Sequence, residues 1–177
     1  MLQKKSFFFV LLLISIAALA RLMPHPWNFT PIGAAGLFAG KYLQKKWAFV
    51  VPLAAMALAD LWLGWYDWRL MIAVYASMAA YTFLGVLVRA KGFVPTATAT
   101  LAGSLQFFLL TNGMVWVLSA WYPHTLQGLL TAYTLGVPFF KYTLAGDVLY
   151  VGVFVLSFVF TQLVYRQLTL APRSNAA

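Results

Sequence analysis

Charge is nearly absent from the interior of this sequence, and that constrains its fold more than any motif does. After Lys4 and Lys5, an apolar run extends from Ser6 to Ala20 and ends at Arg21. Comparable runs recur down the chain with only short polar breaks between them. Hydrophobic residues make up 63% of the chain and charged residues 8%, against roughly 25% charged in a soluble domain. Such a chain cannot cover itself with a surface that water tolerates, so its natural solvent is lipid. A spanning helix needs about 20 residues, and 177 residues fit six spans with short loops. The sequence therefore predicts an all-α integral membrane bundle of six transmembrane helices: one transmembrane domain over 1–166 and a disordered cytoplasmic tail over 167–177. No room is left for a soluble catalytic module.

The runs place the spans. The first, Ser6 to Ala20, also has the outline of a secretory signal, with Ala18-Leu19-Ala20 as a cleavage-like triplet. It is expected to be a retained helix. Pro24, Pro26 and Pro31 break the next stretch, so Arg21 to Thr30 is expected to be a turn-rich loop. Thr30-Pro31 reads as an N-cap followed by proline in the first helical position. The second helix, Pro31 to about Leu43, covers only roughly 20 Å. It must pack inside the bundle, tilt at a thinned edge, or be extended by Gln44 to Lys46. Its Gly36 and Gly40 allow a close helix approach. Further spans are expected from Trp47 to Leu63, Arg69 to Val88, Ala97 to Ala120, and Leu144 to Tyr165. Between Pro123 and Pro138, Thr125 to Leu135 reads as a short interfacial helix before the last span.

The basic residues orient this arrangement. With a cytoplasmic N-terminus, Lys4, Lys5, Lys41, Lys45, Lys46, Arg89, Lys91, Arg166 and Arg173 fall inside, and Arg21, Arg69 and Lys141 outside. The bias follows the positive-inside rule. It implies a multi-pass membrane protein with both termini cytoplasmic. The same anchoring in anionic lipid explains the net charge of +9 without nucleic acid. The basic half is expected to do nothing beyond setting orientation and span count.

The outer half holds all three acids, both histidines and six of the seven tryptophans. Asp60 lies about a turn short of the outer end of its span. An acid at that depth costs a few kcal/mol unless it meets a cavity or a partner. It is expected to contact a solute, a cation or a proton, or to pair with Arg21 or Arg69. Asp147, at the expected start of the last span, suits either the helix dipole or a solute. Asp67 reads as a loop residue beside Arg69. His25 and His124 sit in separate proline-led loops and make only a weak metal pair, so no metal site is expected. Trp27, Trp62, Trp65, Trp68, Trp116 and Trp121 form either a headgroup belt or the aromatic wall of a site. Gln106 and Asn112 need hydrogen-bond partners at membrane depth, and Asn112-Gly113 is a plausible kink. The sequence contains no cysteine and no glutamate, and no nucleotide-binding or hydrolase motif. No catalytic residue and no intrinsic cofactor are expected, and any ATP-driven step belongs to another chain.

"RLMPHPWNFTPIGAAGLFAG", "VPLAAMALADLWLG", "FFLLTNGMVW" and "YPHTLQGLLTAYTLGVPFFKYTLAGDVLY" resemble a bacterial membrane family associated with transport. That family is in turn similar to the substrate-binding S-components of energy-coupling factor (ECF) vitamin transporters. The resemblance covers roughly residues 21–150. It implies a six-helix vitamin-binding component with a pocket near the outer face, working with a scaffold subunit and ATPases or, as in some cobalamin-specific members, as a solitary protein. The pocket it implies draws on Arg21, His25, Asn28, Asp60, Tyr75, Asn112, Trp116, His124 and Asp147. Cobalamin is a candidate solute, with His25, His124 or water as its axial ligand. One departure stands out: Ala17, Ala18 and Ala20 do not make the A-x-x-x-A spacing of S-components that share a scaffold. Two other readings fit the residues, a structural protein docking a partner subunit through its outer face and a proton-coupled carrier using Asp60.

Overall fold

The computed structural model describes the backbone of residues 2–170 and the side chains of residues 7–167. Every regular element in this range is a helix: α1 Leu2–Leu22, α2 Ile32–Tyr42, α3 Lys45–Ala48, α4 Val50–Leu63, α5 Trp68–Leu87, α6 Phe93–Leu118 and α7 Leu126–Leu170. The all-helical class is as expected. Four segments are long and apolar enough to cross a membrane: Lys45–Leu63, in which α3 and α4 run on, and Trp68–Leu87, Phe93–Leu118 and Leu126–Gln167. The part of α1 from Phe7 to Leu22 is apolar but shorter.

The centre of the bundle is the shortest of the apolar helices. Every residue of α2 from Ile32 to Lys41 is buried. At 11 residues it is about 16 Å long, too short for a ~30 Å hydrocarbon core. Packing within the bundle, one of the three expected solutions, is the one adopted. Lipid provides no hydrophobic drive between helices, so close van der Waals contact must hold them. Small residues supply it. At the crossing of α2 and α5, a methyl group on Gly40 would collide with the Thr82 carbonyl, and one on Gly85 with the Leu37 carbonyl. Gly36 faces the Thr82 hydroxyl and the Pro52 ring. Around this contact Val10, Leu13, Ile14 and Ala17 of α1 join Phe38, Val51, Ala55 and Met56 in one core.

The basic residues at the far end of α2 do more than orient the chain, contrary to expectation. Arg89 Nε donates to the Gly40 carbonyl at 2.9 Å, and its Nη2 to the Leu43 carbonyl. Lys41 Nζ donates to the Val88 and Lys91 carbonyls at 2.8 and 2.6 Å. Arg89 thus reaches carbonyls at the C-terminal end of α2, where the dipole also favours positive charge, and Lys41 reaches the C-cap of α5 and the connection that follows it.

Three expectations of detail are corrected. Thr30 does not cap α2. Pro31 holds the cap position without a side-chain hydrogen bond, and its carbonyl takes the Ala35 N–H at 2.7 Å. Nor is there a separate interfacial helix before the last span. Leu126–Leu170 is one helix of 45 residues with Pro138 inside it. Proline removes one hydrogen bond and crowds the preceding turn, but neighbouring helices and hydroxyl side chains re-satisfy such sites in membrane helices. At about 67 Å, α7 exceeds a bilayer core by more than twofold. Finally, residues 167–170 of the expected disordered tail continue this helix, and 171–177 lie outside the described residues.

Gly85→Ala is expected to lower stability in detergent by about 1–3 kcal/mol, the usual cost of overpacking. Gly152→Ala, where nothing lies within 4 Å of the added methyl, should leave the melting temperature unchanged or raise it. Equal effects of the two changes on thermal unfolding would show that the α2–α5 contact is not what limits stability.

Candidate functional site

The 23–31 connection gives one end of the bundle its shape. Asn28 adopts the left-handed conformation, φ 62°, which asparagine tolerates better than most residues. Phe29 N–H bonds to the Pro26 carbonyl, and Thr30 N–H to the Asn28 carbonyl, both at 3.0 Å. His25 ties the loop to α1, with Nε2 3.0 Å from the Arg21 carbonyl and Nδ1 2.8 Å from the Pro26 carbonyl. A neutral imidazole donates through one of these nitrogens and the imidazolium through both.

Beneath this loop is a cavity of about 630 Å³, within the range typical of small-molecule sites. Its wall takes residues from the loop and six helices. The loop gives Met23, His25, Trp27, Asn28 and Thr30, α1 gives Arg21, α2 gives Ile32 and Gly33, and α4 gives Met56 and Leu63. One face of α5 adds Val74, Met78 and Tyr81, α6 adds Phe107, and α7 adds Thr143 and Asp147 one turn apart. A second hollow of about 470 Å³ lies between α6 and α7 near Lys41 and Lys91. It is lined almost wholly by apolar groups. The first is the candidate site because polar and charged side chains from distant segments converge in it.

Two polar clusters support that cavity. In the first, Arg21 Nη2 pairs with Asp60 Oδ1 at 2.9 Å, and Tyr75 Oη donates to Asp60 Oδ2 at 3.0 Å. Asp60 is 1% exposed and Arg21 23%. Arg21 Nη1 also lies 3.2 Å from Met56 Sδ. This is the pairing with Arg21 that the sequence allowed. Tyr66, in the 64–67 connection, is near enough to feel it: burial, with the Asp60 charge second, pushes its hydroxyl up to about 12.

In the second cluster Asp147 is 2% exposed and accepts from two hydroxyls. Tyr81 Oη donates to its Oδ2, and Ser104 Oγ donates to the same oxygen at 2.7 Å. Tyr81 is 1% exposed and Ser104 is fully buried. Glycines make room for the ring, since a methyl on Gly33 or Gly103 would strike it. Asp147 therefore does not begin a helix, as the sequence suggested. It stands well inside α7, and dipole stabilisation at that helix's N-terminus does not account for it.

Of the nine expected site residues, Arg21, His25, Asn28 and Asp147 line the cavity. Asp60 stands behind Arg21 as its partner, and Tyr75 behind Asp60. Asn112, Trp116 and His124 are elsewhere. Asn112 donates to the Phe108 carbonyl of its own helix at 2.9 Å and faces Gly136 of α7, and α6 runs on unbroken through Gly113. Trp116 Nε1 donates to the Pro123 carbonyl at 3.0 Å, and its ring packs edge-on against His124. Gln106 makes the expected interhelical bond, to the Ser77 carbonyl at 3.2 Å. Trp27, itself 75% exposed, is the tryptophan that lines the cavity, while Trp62, Trp65, Trp68 and Trp121, at least 64% exposed, do not line it. The outward display of those four rings is that of a belt, not a wall. Among the described residues, no group of three His, Cys, Asp or Glu side chains is placed to hold a metal.

Tyr81, Ser104 and Thr143 were not apparent from the sequence. The signal was the burial of Asp147 itself, which demands donors from other helices. Hydroxyls beside small residues, as in Gly103-Ser104, were the places to look.

A family model described as a family of unknown function (DUF6580) matches residues 1–168. No curated protein and no solved structure matches the chain.

Removing one partner of a buried ion pair leaves the other uncompensated. Asp60→Asn is expected to cost about 3 kcal/mol, the low end for such pairs because Arg21 keeps some solvent contact. Thermal unfolding should show this loss, and Tyr75→Phe should lose less. Asp67, the N-cap of α5, gives a pH signature. Hydrogen bonds from the Arg69 side chain and N–H hold its carboxyl at about 2, below the usual 3.8. A depressed folded value means that the contribution is complete above about pH 4 and fades as pH falls toward 2. The stability gap between wild type and Asp67→Asn should be flat above that point and close below it.

Proposed function

The chain belongs to this family of unknown function, and from that premise we propose that it is a solute-binding membrane component for uptake of a vitamin or cofactor precursor. One observation carries the reading: a cavity of about 630 Å³ in which Arg21, His25 and Asn28 from one stretch of chain converge with Asp147 from a segment far away in sequence. Apolar walls with a few fixed polar groups are the usual make-up of a small-molecule site. Charged groups at such depth in a membrane bundle are retained where a cavity or a solute needs them.

In this reading the cavity opens on the outer side of a bacterial inner membrane with both termini inside, an orientation that the basic-residue bias supports. The solute enters beneath the 23–31 loop. Trp27 and Phe107 face its apolar part, and Arg21 and Asp147 its polar groups. The volume suits a single-ring or two-ring vitamin better than the much larger cobalamin. Release to the cytoplasm requires the bundle to reorient, and with no nucleotide-binding motif in the chain, a scaffold subunit and ATPases of the ECF kind would supply the work. In this reading the chain is a binding protein and not an enzyme. The carrier reading is weaker, because Asp60 is committed to Arg21 and Tyr75. A subunit-docking role would leave the cavity unexplained.

Native mass spectrometry of the detergent-purified protein against a vitamin panel that includes cobalamin tests this. A single adduct at micromolar concentration is expected. Thr30→Trp, which puts a large ring into the cavity, should weaken it by at least about tenfold, or 1.4 kcal/mol. His124→Ala, remote from the cavity, should leave it unchanged. Absence of any adduct, or an adduct lost in His124→Ala and kept in Thr30→Trp, would sink the proposal.

A further inference from the structure

Resting on the solute-binding reading above, we infer that the group by which this protein holds its solute is a cationic nitrogen, an ammonium or amidinium-like centre, received by the Asp147 carboxylate at the floor of the cavity.

The first argument is the balance of charge. Two formal charges line the cavity, Arg21 and Asp147. Arg21 is matched one to one by Asp60 at 2.9 Å. Asp147 is in no ion pair among the described residues, where the pairs are Arg21 with Asp60 and Arg69 with Asp67. Its partners are the neutral hydroxyls of Tyr81 and Ser104. Neutral donors offset part of the cost of burying a carboxylate, and a paired cation offsets much more.

The second argument is direction. Both hydroxyls donate to Oδ2. Oδ1 accepts no hydrogen bond among the described residues, although the residue is 2% exposed. Oδ1 borders Gly33, where an added methyl would lie 2.9 Å from it, and Gly33 itself lines the cavity. The carboxylate is thus fixed through one oxygen, and the other is left as an acceptor at the cavity floor. An N⁺–H donor completes such an acceptor with a short, charge-assisted bond.

The third argument is the surround. Trp27, Phe107 and Tyr81 line the same cavity, Trp27 at its exposed side and Tyr81 fully buried, and aromatic faces attract cations. An anionic solute would meet Asp147 as a like charge and would find Arg21 already paired.

Three size-matched probes separate the cases at neutral pH: benzylamine as the cation, benzyl alcohol as the neutral form and benzoate as the anion. Calorimetry on the full-length protein in detergent should show benzylamine binding at least about tenfold tighter than benzyl alcohol, a difference of 1.4 kcal/mol, with benzoate weakest. Asp147→Asn retains an oxygen that can accept from Tyr81 and Ser104, and should bring the cation and the neutral probe to equal affinity. Should that variant fail to fold, wild type provides a direct readout. Modification of Asp147 by a hydrophobic carbodiimide, followed by peptide mass, should be slowed by benzylamine and not by benzyl alcohol.

No binding of benzylamine overturns the inference. So does a preference for benzoate, which would transfer the anchor to Arg21, and so does a cation preference that survives in Asp147→Asn or equal protection by the two probes. The two proposals fail separately. A vitamin without a cationic nitrogen that binds in the cavity removes this inference and leaves solute binding intact. Benzylamine held at Asp147 beside an empty vitamin panel removes the vitamin reading and leaves the cation site.

Discussion

The backbone contact between α2 and α5 at Gly40 and Gly85 is what the rest of this structure hangs on. An 11-residue helix cannot cross a bilayer, and its polar ends must find partners inside the protein. Direct approach of two helix backbones, with no side chain between them, seats α2 in the middle of the bundle. Both of its ends then acquire a role. At one end, Arg89 and Lys41 exchange contacts with the last carbonyls of the two helices. At the other, Gly33 faces Tyr81 and Asp147 and forms part of the cavity wall.

The two acids at membrane depth are handled in different ways. Asp60 is neutralised by Arg21 and steadied by Tyr75, which links the C-terminal turns of α1 and α4 to α5. Asp147 is held by hydroxyls from α5 and α6 and has no cation of its own among the described residues. The first is a brace for the cavity, whereas the second is an open valence in its floor. An ionisable group inside a membrane bundle is expensive; Asp60 offsets that cost with a cation, Asp147 with two hydroxyls.

The tryptophans divide in a similar way. Trp62, Trp65, Trp68 and Trp121 turn outward, as rings at a membrane–water boundary do. Trp27 lines the cavity from the loop, next to the left-handed Asn28, and its ring packs edge-on against Phe139 of α7. Five of the six outer tryptophans thus fall into two groups and Trp116 into neither, its Nε1 bonded to the Pro123 carbonyl.

Much of this protein was legible in its amino acids alone. The lack of interior charge dictated helices in lipid, since only helices or closed barrels satisfy the backbone there. Prolines and short polar breaks located most helix ends to within a few residues, and the Gly36–Gly40 spacing marked the helix that would be approached closely. Asp67 could be set beside Arg69 in advance, and Asp60 narrowed to Arg21 or Arg69 as an ion-pair partner, because few oppositely charged groups exist to choose from. Tertiary structure decided the rest. Pro138 did not end its helix, because interrupted backbone bonds can be made good by neighbours that local pattern does not reveal. Asn112, Trp116 and His124 found partners close by in the chain and so fell outside the cavity. Tyr81, Ser104 and Asp147, separated by 43 residues or more from hydroxyl to carboxylate, met because three helices place them at one depth. Apolar pattern fixes which stretches enter the membrane. Which polar side chains meet there depends on helix rotation and depth, and those are set by close packing among all the helices at once.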